Sequence, residues 1–365
     1  MKKIGIITII DNNNYGNRLQ NYAVQQTLKK MDLNSETLLN HVLLNNYEEK
    51  KYKYFLKIIR TRISILKQNL KYIRNSRYKL FEKFNKNIKF SKKYISLLDK
   101  KVNNKYDFFI VGSDQVWNPN FWQLSDVALL KFAENKKRIS FSASFGVNNL
   151  EKKDIDKLEN LKFFKAISVR EEIGKKIIEN TIDRKDVEVL VDPTMLLTAD
   201  EWDKVSKKPE QLKTDKYILN YFLGKLSEKR KAEIDRIAKE NNCEVINILD
   251  RNSPFYCTGP SEFLYLEKHA FLICTDSFHS SVFAILYNRP FIVFAREDNT
   301  VSMNSRIETL INKFNLKNRE FNGTNITKEN LNKDYIETYE ILNEERKKAI
   351  SFLRESIFIE GEHND

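Results

Sequence analysis

Short apolar runs alternate with longer amphipathic stretches along most of the chain. KKIGIITII (2–10) has the length and β-branched content of a core strand, and NRLQNYAVQQTLKKM (17–31) repeats its apolar positions at helical spacing. Strand-like runs return at DFFIVG (107–112), RISFSAS (138–144), AISVR (166–170) and VEVLVD (187–192), with helical stretches between several of them. A charged, weakly periodic interval containing Pro209 occupies 198–216. Beyond it a second series runs YILNYFL (217–223), a helix over 226–241, CEVINIL (243–249), the short helix SEFLYLEKH (261–269) and AFLICT (270–275). TDSFHSS (275–281) then opens an apolar helix, PFIVFA (290–295) follows as a strand, and helices near 303–314 and 328–356 close the chain.

Strands that alternate with helices predict mostly parallel sheets. Two such series predict an α/β chain of two Rossmann-like domains facing a cleft. The boundaries read as an N-terminal α/β domain over 1–197, an interdomain linker over 198–216, a C-terminal α/β domain over 217–337, and a C-terminal helix and tail over 338–365. A basic helical insertion over about 48–95 interrupts the first domain.

Composition narrows the class. With 41% hydrophobic and 31% charged residues over 365 positions, a soluble globular protein with a sizeable core is expected. No apolar window reaches the roughly 18 residues of a membrane span, and the amino-terminal run continues into a loop and helix rather than a cleavage site. Three cysteines (Cys243, Cys257, Cys274) without metal-like spacing predict a reduced, cytoplasmic protein.

The net charge of +13 is concentrated in one place. Lys50 to Lys93 holds sixteen Lys or Arg against one acid, Glu82, leaving 47 basic and 49 acidic residues elsewhere. Phe55, Leu56, Ile58, Ile59, Ile63, Ile65, Leu66 and Leu70 give the segment an amphipathic pattern that suits an anionic membrane surface better than RNA. Peripheral membrane attachment is one expectation, with no nucleic-acid partner, and a solvated insertion packed on the amino-terminal domain is the competing reading.

GxGxxG, GxxxxGK[ST], HExxH and CxxC are all absent, which counts against the common dinucleotide, P-loop and zinc-hydrolase chemistries. What remains is polar residues at the carboxyl ends of strands, where open α/β sheets bind ligands. DNNNYGNRLQ (11–20) offers Gly16 and Asn17 either as an anion-binding helix start or as a turn with an N-cap. VGSDQVWNP (111–119) presents Ser113, Asp114 and Gln115 together, with Trp117 either facing a sugar ring or packed in the core. Arg170, in SVREE, suits a phosphate or carboxylate, or else pairs with a nearby acid. Asp192, before Pro193, reads as a turn-former. In TDSFHSS, Ser277, Ser280 and Ser281 surround His279 at a helix start that favours anions.

The order of YGNRLQNYA, VGSDQVWNP, SVREEIG, VDPTMLL, GPSEFLYLEKHAFLICTDSFHSSVFAILYNRPFIVF and NSRIETLINKF resembles the polysaccharide pyruvyl transferase family over residues 5 to about 315. The resemblance implies a GT-B-like fold. It also implies transfer of pyruvate from phosphoenolpyruvate to two hydroxyls of a sugar, in a cell-surface polysaccharide or its lipid-linked precursor, as a ketal. Phosphoenolpyruvate is then the donor substrate, a sugar or lipid-linked oligosaccharide the acceptor, and no cofactor or metal is implied.

Arg170 and His279 correspond to residues that bind and activate the donor, and Arg306 to a further ligand. Members often carry arginine two residues before the histidine, where this chain has Ser277. One donor-binding charge is therefore either missing here or supplied elsewhere, with Arg18, Arg289, Arg296 and Arg306 as the candidates. In the implied chemistry His279 is the general acid, Arg170 neutralises the donor, and Asp114 orients or deprotonates an acceptor hydroxyl. A GT-B-type glycosyltransferase with a nucleotide-sugar donor and a non-catalytic carbohydrate-binding protein are the alternatives.

Overall fold

The computed structural model describes residues 1–40, 76–92, 95, 100–121, 124–297 and 305–359. Most of the basic insertion therefore lies outside the described residues, and with it the expectation of membrane attachment. Two compact units divide the chain: 1–75 with 85–196 and 345–365, and 76–84 with 197–344.

The first unit is built on a six-stranded parallel sheet. Its chain order is β1 (Lys3–Ile7), α1 (Tyr15–Lys30), β2 (Asn34–Thr37), β3 (Phe108–Asp114), β4 (Arg138–Ala143), α3 (Lys152–Leu158), β5 (Ala166–Val169), α4 (Glu172–Ile182) and β6 (Val187–Val189). Helix α2 (Ser76–Asn85) falls in sequence between β2 and β3, and all but its last residue groups with the second unit. The strands lie in the order β2-β1-β3-β4-β5-β6, every pair parallel. Near-continuous apolar runs such as FFIV in β3 fit a sheet buried on both faces. Phe109, Val111, Trp117, Phe145 and Ile167 belong to one core cluster.

Strand β2 gives no apolar signal, because its sequence is NSET. It forms at the sheet edge by pairing with β1, and Thr37 is held by side chains rather than by hydrophobic packing. Asn21 and Gln25 of α1 donate to its Oγ1 at 2.8 and 2.9 Å.

The second unit carries a four-stranded parallel sheet in the order β10-β9-β7-β8. Along the chain come α5 (Ala199–Asp203), β7 (Tyr217–Tyr221), α6 (Glu228–Glu240), β8 (Glu244–Asn247), α7 (Pro260–His269), β9 (Leu272–Thr275), α8 (Phe278–Leu286), β10 (Phe291–Val293), α9 (Ser305–Lys313) and α10 (Ile336–Phe358). Every residue of α8 is buried, as expected of a helix that is apolar on most sides.

The interval 198–216 holds more order than its weak periodicity suggests. Thr198 and Glu201 form a capping box that starts α5, and Trp202 is fully buried against Phe283. The final helix begins at Ile336, after a separate turn at Glu329–Leu331, rather than near residue 328. No helix among the described residues is long and apolar enough to cross a membrane.

Candidate active site

In each sheet the chain reverses its direction of progress once, and each reversal places two strand ends side by side. In the first sheet β1 and β3 are neighbours, with β2 on one flank and β4 on the other. In the second, β7 and β9 occupy the equivalent position. Open α/β sheets bind ligands outside the carboxyl ends of strands at such switch points.

At the first switch point the helix begins earlier than the sequence suggests. Asn14, not Asn17, is the N-cap of α1, and its side chain accepts from the Asn17 amide at 3.1 Å. Gly16 is buried within the first turn, and Asn17 is thereby turned inward, its Nδ2 donating to Asp114 at 3.2 Å. Arg18 Nη2 donates to Asn17 Oδ1 at 2.6 Å and to the Ile9 carbonyl at 2.5 Å.

Strand β3 delivers Ser113 and Asp114. Gly112 has φ 125°, and a Cβ there would collide with the Phe141 carbonyl oxygen, so glycine is required. Asp114 itself takes φ 66°, a left-handed conformation uncommon outside glycine. Its Oδ1 accepts from the Gln115 amide at 2.9 Å, while the Gln115 side chain is held by Asn118.

Arg170 does not present its fork to open surface. The side chain is 1% exposed, with Nη1 2.6 Å from Asp192 and Nη2 3.5 Å from Asp114. Burial works against the guanidinium charge, but Asp192, Asp114 and Glu171 outweigh it and hold the pKa above its ordinary value. Asp192 does form the expected turn, accepting from the Thr194 amide and hydroxyl. It also joins the charged cluster and accepts from Ser113 Oγ at 3.0 Å. A continuous polar chain thus links Arg18, Asn17, Asp114, Arg170, Asp192 and Ser113.

Trp117 is a core residue, not a sugar platform. It is fully buried, packs near Phe145 and Phe164, and donates its Nε1 to the Ala128 carbonyl.

At the second switch point Ser277 is the N-cap of α8 and accepts from the Ser280 amide at 3.5 Å. His279 is the second residue of that helix and is 8% exposed. The serines around it are committed internally. Ser281 Oγ donates to the Ser277 carbonyl, and Ser280 Oγ donates to the buried carboxyl of Glu267 at 2.6 Å.

Asp276, just before the cap, ties the neighbouring loop to this helix start. Its two oxygens accept from the Leu223 and Gly224 amides at 2.7 Å each, beyond the end of β7. Arg296, beyond the end of β10, places Nε 3.4 Å from Asp276 Oδ2. Of the other arginines considered, Arg18 belongs to the first unit, Arg289 follows the opposite end of α8, and Arg306 is buried in the first turn of α9. Among the described residues no group of three His, Cys, Asp or Glu is placed to hold a metal ion.

A family model for polysaccharide pyruvyl transferase matches residues 14–299. The chain belongs to the polysaccharide pyruvyl transferase family. That membership makes the chain a transferase by family, and both switch-point clusters lie within the matched span. No curated protein matches it in sequence comparison.

Solved structures resemble it at low identity. A Listeria monocytogenes protein assigned as a UDP-N-acetylglucosamine 2-epimerase has a TM-score of 0.51 at 12% identity, covering 96% of this chain and 91% of its own. The UDP-GlcNAc 2-epimerase of Methanocaldococcus jannaschii has a TM-score of 0.50 at 17% identity, covering 96% and 98%. At these identities the likeness speaks for the fold alone, which is GT-B-like.

Sequence reasoning missed Asn14, Glu267 and Asp276, and set Asp192 aside. Glu267, Asp276 and the charged side of Asp192 act through partners distant in sequence, whereas Asn14 is a local cap hidden among three consecutive asparagines.

Proposed function

We propose that this family member transfers the pyruvyl group of phosphoenolpyruvate to two hydroxyls of one sugar, giving a cyclic ketal and inorganic phosphate. The observation that carries the reading is His279 in the first turn of α8, at the switch point of the second sheet, within the span matched by the family model.

The atoms balance without an added reactant. The first hydroxyl adds to the substituted carbon of the enol phosphate, and the methylene carbon takes up one proton and becomes methyl. The carbon–oxygen bond to phosphate then breaks, and the second hydroxyl adds to the same carbon. Of the two hydroxyl protons, one ends on the methyl group and the other leaves with phosphate.

His279 is suited to deliver the proton to the methylene carbon. The first-turn amides of α8 and the Arg296 guanidinium are suited to the phosphate, so Arg296 takes the place of an arginine at 277. Arg170 is committed to Asp114 and Asp192 within the first unit and is not assigned to the donor.

The decisive experiment is a thermal-shift panel of phosphoenolpyruvate and nucleotide sugars, followed by phosphate release with candidate saccharide acceptors. Stabilisation by phosphoenolpyruvate together with acceptor-dependent phosphate release is the expected result. Stabilisation by a nucleotide sugar alone would replace the reading with a glycosyltransferase.

A further inference from the structure

We propose that Glu267 is a positioning residue: its buried carboxyl tethers Ser280 and so fixes the first turn of the helix that carries His279. The catalytic consequence rests on the role given to His279 above; the tether itself does not.

Glu267 lies in the last turn of α7 and is 0% exposed. Its Oε1 accepts from Ser280 Oγ at 2.6 Å, and its Oε2 has no hydrogen-bond partner among the described residues. A carboxyl so deeply buried with a single partner costs stability unless it does something for the fold around it. What it holds is the turn whose ordinary restraint is weak. The N-cap bond from Ser277 to the Ser280 amide is 3.5 Å long, at the outer limit of a hydrogen bond. The bond to Glu267 is the short one, and it grips the residue next to His279.

The surroundings disfavour the charged form of the carboxyl. Burial pushes it well above the ordinary carboxylate range, and the Ser280 bond offsets only part of that shift. Among the described residues, Tyr217 of β7 and Tyr287 at the C-cap of α8 lie in electrostatic reach, and their hydroxyls are themselves pushed upward, first by burial. Neither supplies a positive charge. Tyr217 donates to the Leu266 carbonyl, Asp203 of α5 is paired with Lys268, and Arg289 acts on Tyr217. For a carboxyl raised in the folded state, the stability it contributes is complete below the unfolded pKa and is lost as pH rises through the folded one.

The test uses the full chain with Glu267→Gln, which keeps an acceptor but cannot ionise, and Glu267→Leu, which removes the acceptor. Ser280→Ala deletes the same bond from the other side if the leucine variant does not fold. Hydrogen exchange of the peptide 275–286 and melting temperature from about pH 4, near the unfolded glutamate value, to about pH 10 are read for each. Exchange in this peptide should rise about tenfold in Glu267→Leu and stay near wild type in Glu267→Gln. The alkaline fall in melting temperature should be shallower in Glu267→Gln than in wild type.

With phosphoenolpyruvate, kcat should fall in Glu267→Leu at unchanged KM and be restored by glutamine. Wild-type exchange in both bond-deleting variants would overturn the tether, and superimposable pH curves for wild type and Glu267→Gln would overturn the disfavoured charge on the carboxyl. A wild-type chain without phosphoenolpyruvate turnover would remove the proposed reaction while the exchange and melting arms still judge Glu267.

Discussion

Asp276 places Arg296 beside the helix start that carries His279, with Nε 3.4 Å from Oδ2, while the same carboxylate accepts from the Leu223 and Gly224 amides. One side chain therefore ties the loops after β7 and β10 to the start of α8. Replacing Arg296 with Ala should raise the KM or Kd for phosphoenolpyruvate about 10–100-fold, the value of one or two charge-assisted bonds. Arg296→Lys keeps the charge but loses the fork and should recover only part of the loss. Unchanged donor affinity in both variants would take Arg296 out of the site.

His279→Gln should lower kcat by roughly 10²–10⁴-fold, the usual contribution of a general acid. Donor affinity and melting temperature should change little, since glutamine is close to the buried histidine in size and polarity. Steady-state kinetics beside a thermal melt checks both halves.

Arg170→Met leaves two buried carboxylates, Asp114 and Asp192, facing each other without their common cation. Removing one partner of a buried pair costs about 3–5 kcal/mol, and here two acids are stranded. The urea midpoint should fall accordingly. The further substitution Asp192→Asn should return part of the loss, because it deletes one of the uncompensated charges.

Gly112→Ala should be among the most damaging single-methyl additions in the first unit. The new Cβ meets the Phe141 carbonyl oxygen of the neighbouring strand, and φ 125° is a conformation that alanine rarely takes. Low yield of folded protein, or a melting temperature far below wild type, is expected. A normal melt would show that the β3–β4 pairing yields easily at this point.

Much of the architecture was legible along the chain because buried parallel strands announce themselves as short apolar runs, and amphipathic helices by their spacing. Nine of the ten strands in the described residues arise from such runs. The exception, β2, is polar because Thr37 is satisfied by Asn21 and Gln25, and Glu36 by Tyr106 and Lys3, instead of by a hydrophobic face. The short helix α5 was hidden for a similar reason, since a capping box and one buried tryptophan carry little periodicity.

The site divides along the same line. Sequence by itself determined that His279 would stand at a helix start, since Ser277 before an apolar helical run is a local cap signal that needs no distant partner. It also identified the family, through the order of motifs. Only the tertiary structure decided that Arg296 pairs with Asp276 just before that helix start, that Arg170 is taken up by Asp192 and Asp114, and that the Ser280 hydroxyl turns inward to Glu267. Charge pairs and buried hydrogen bonds join residues tens of positions apart. Their partners are chosen by sheet order and burial, which no local pattern encodes.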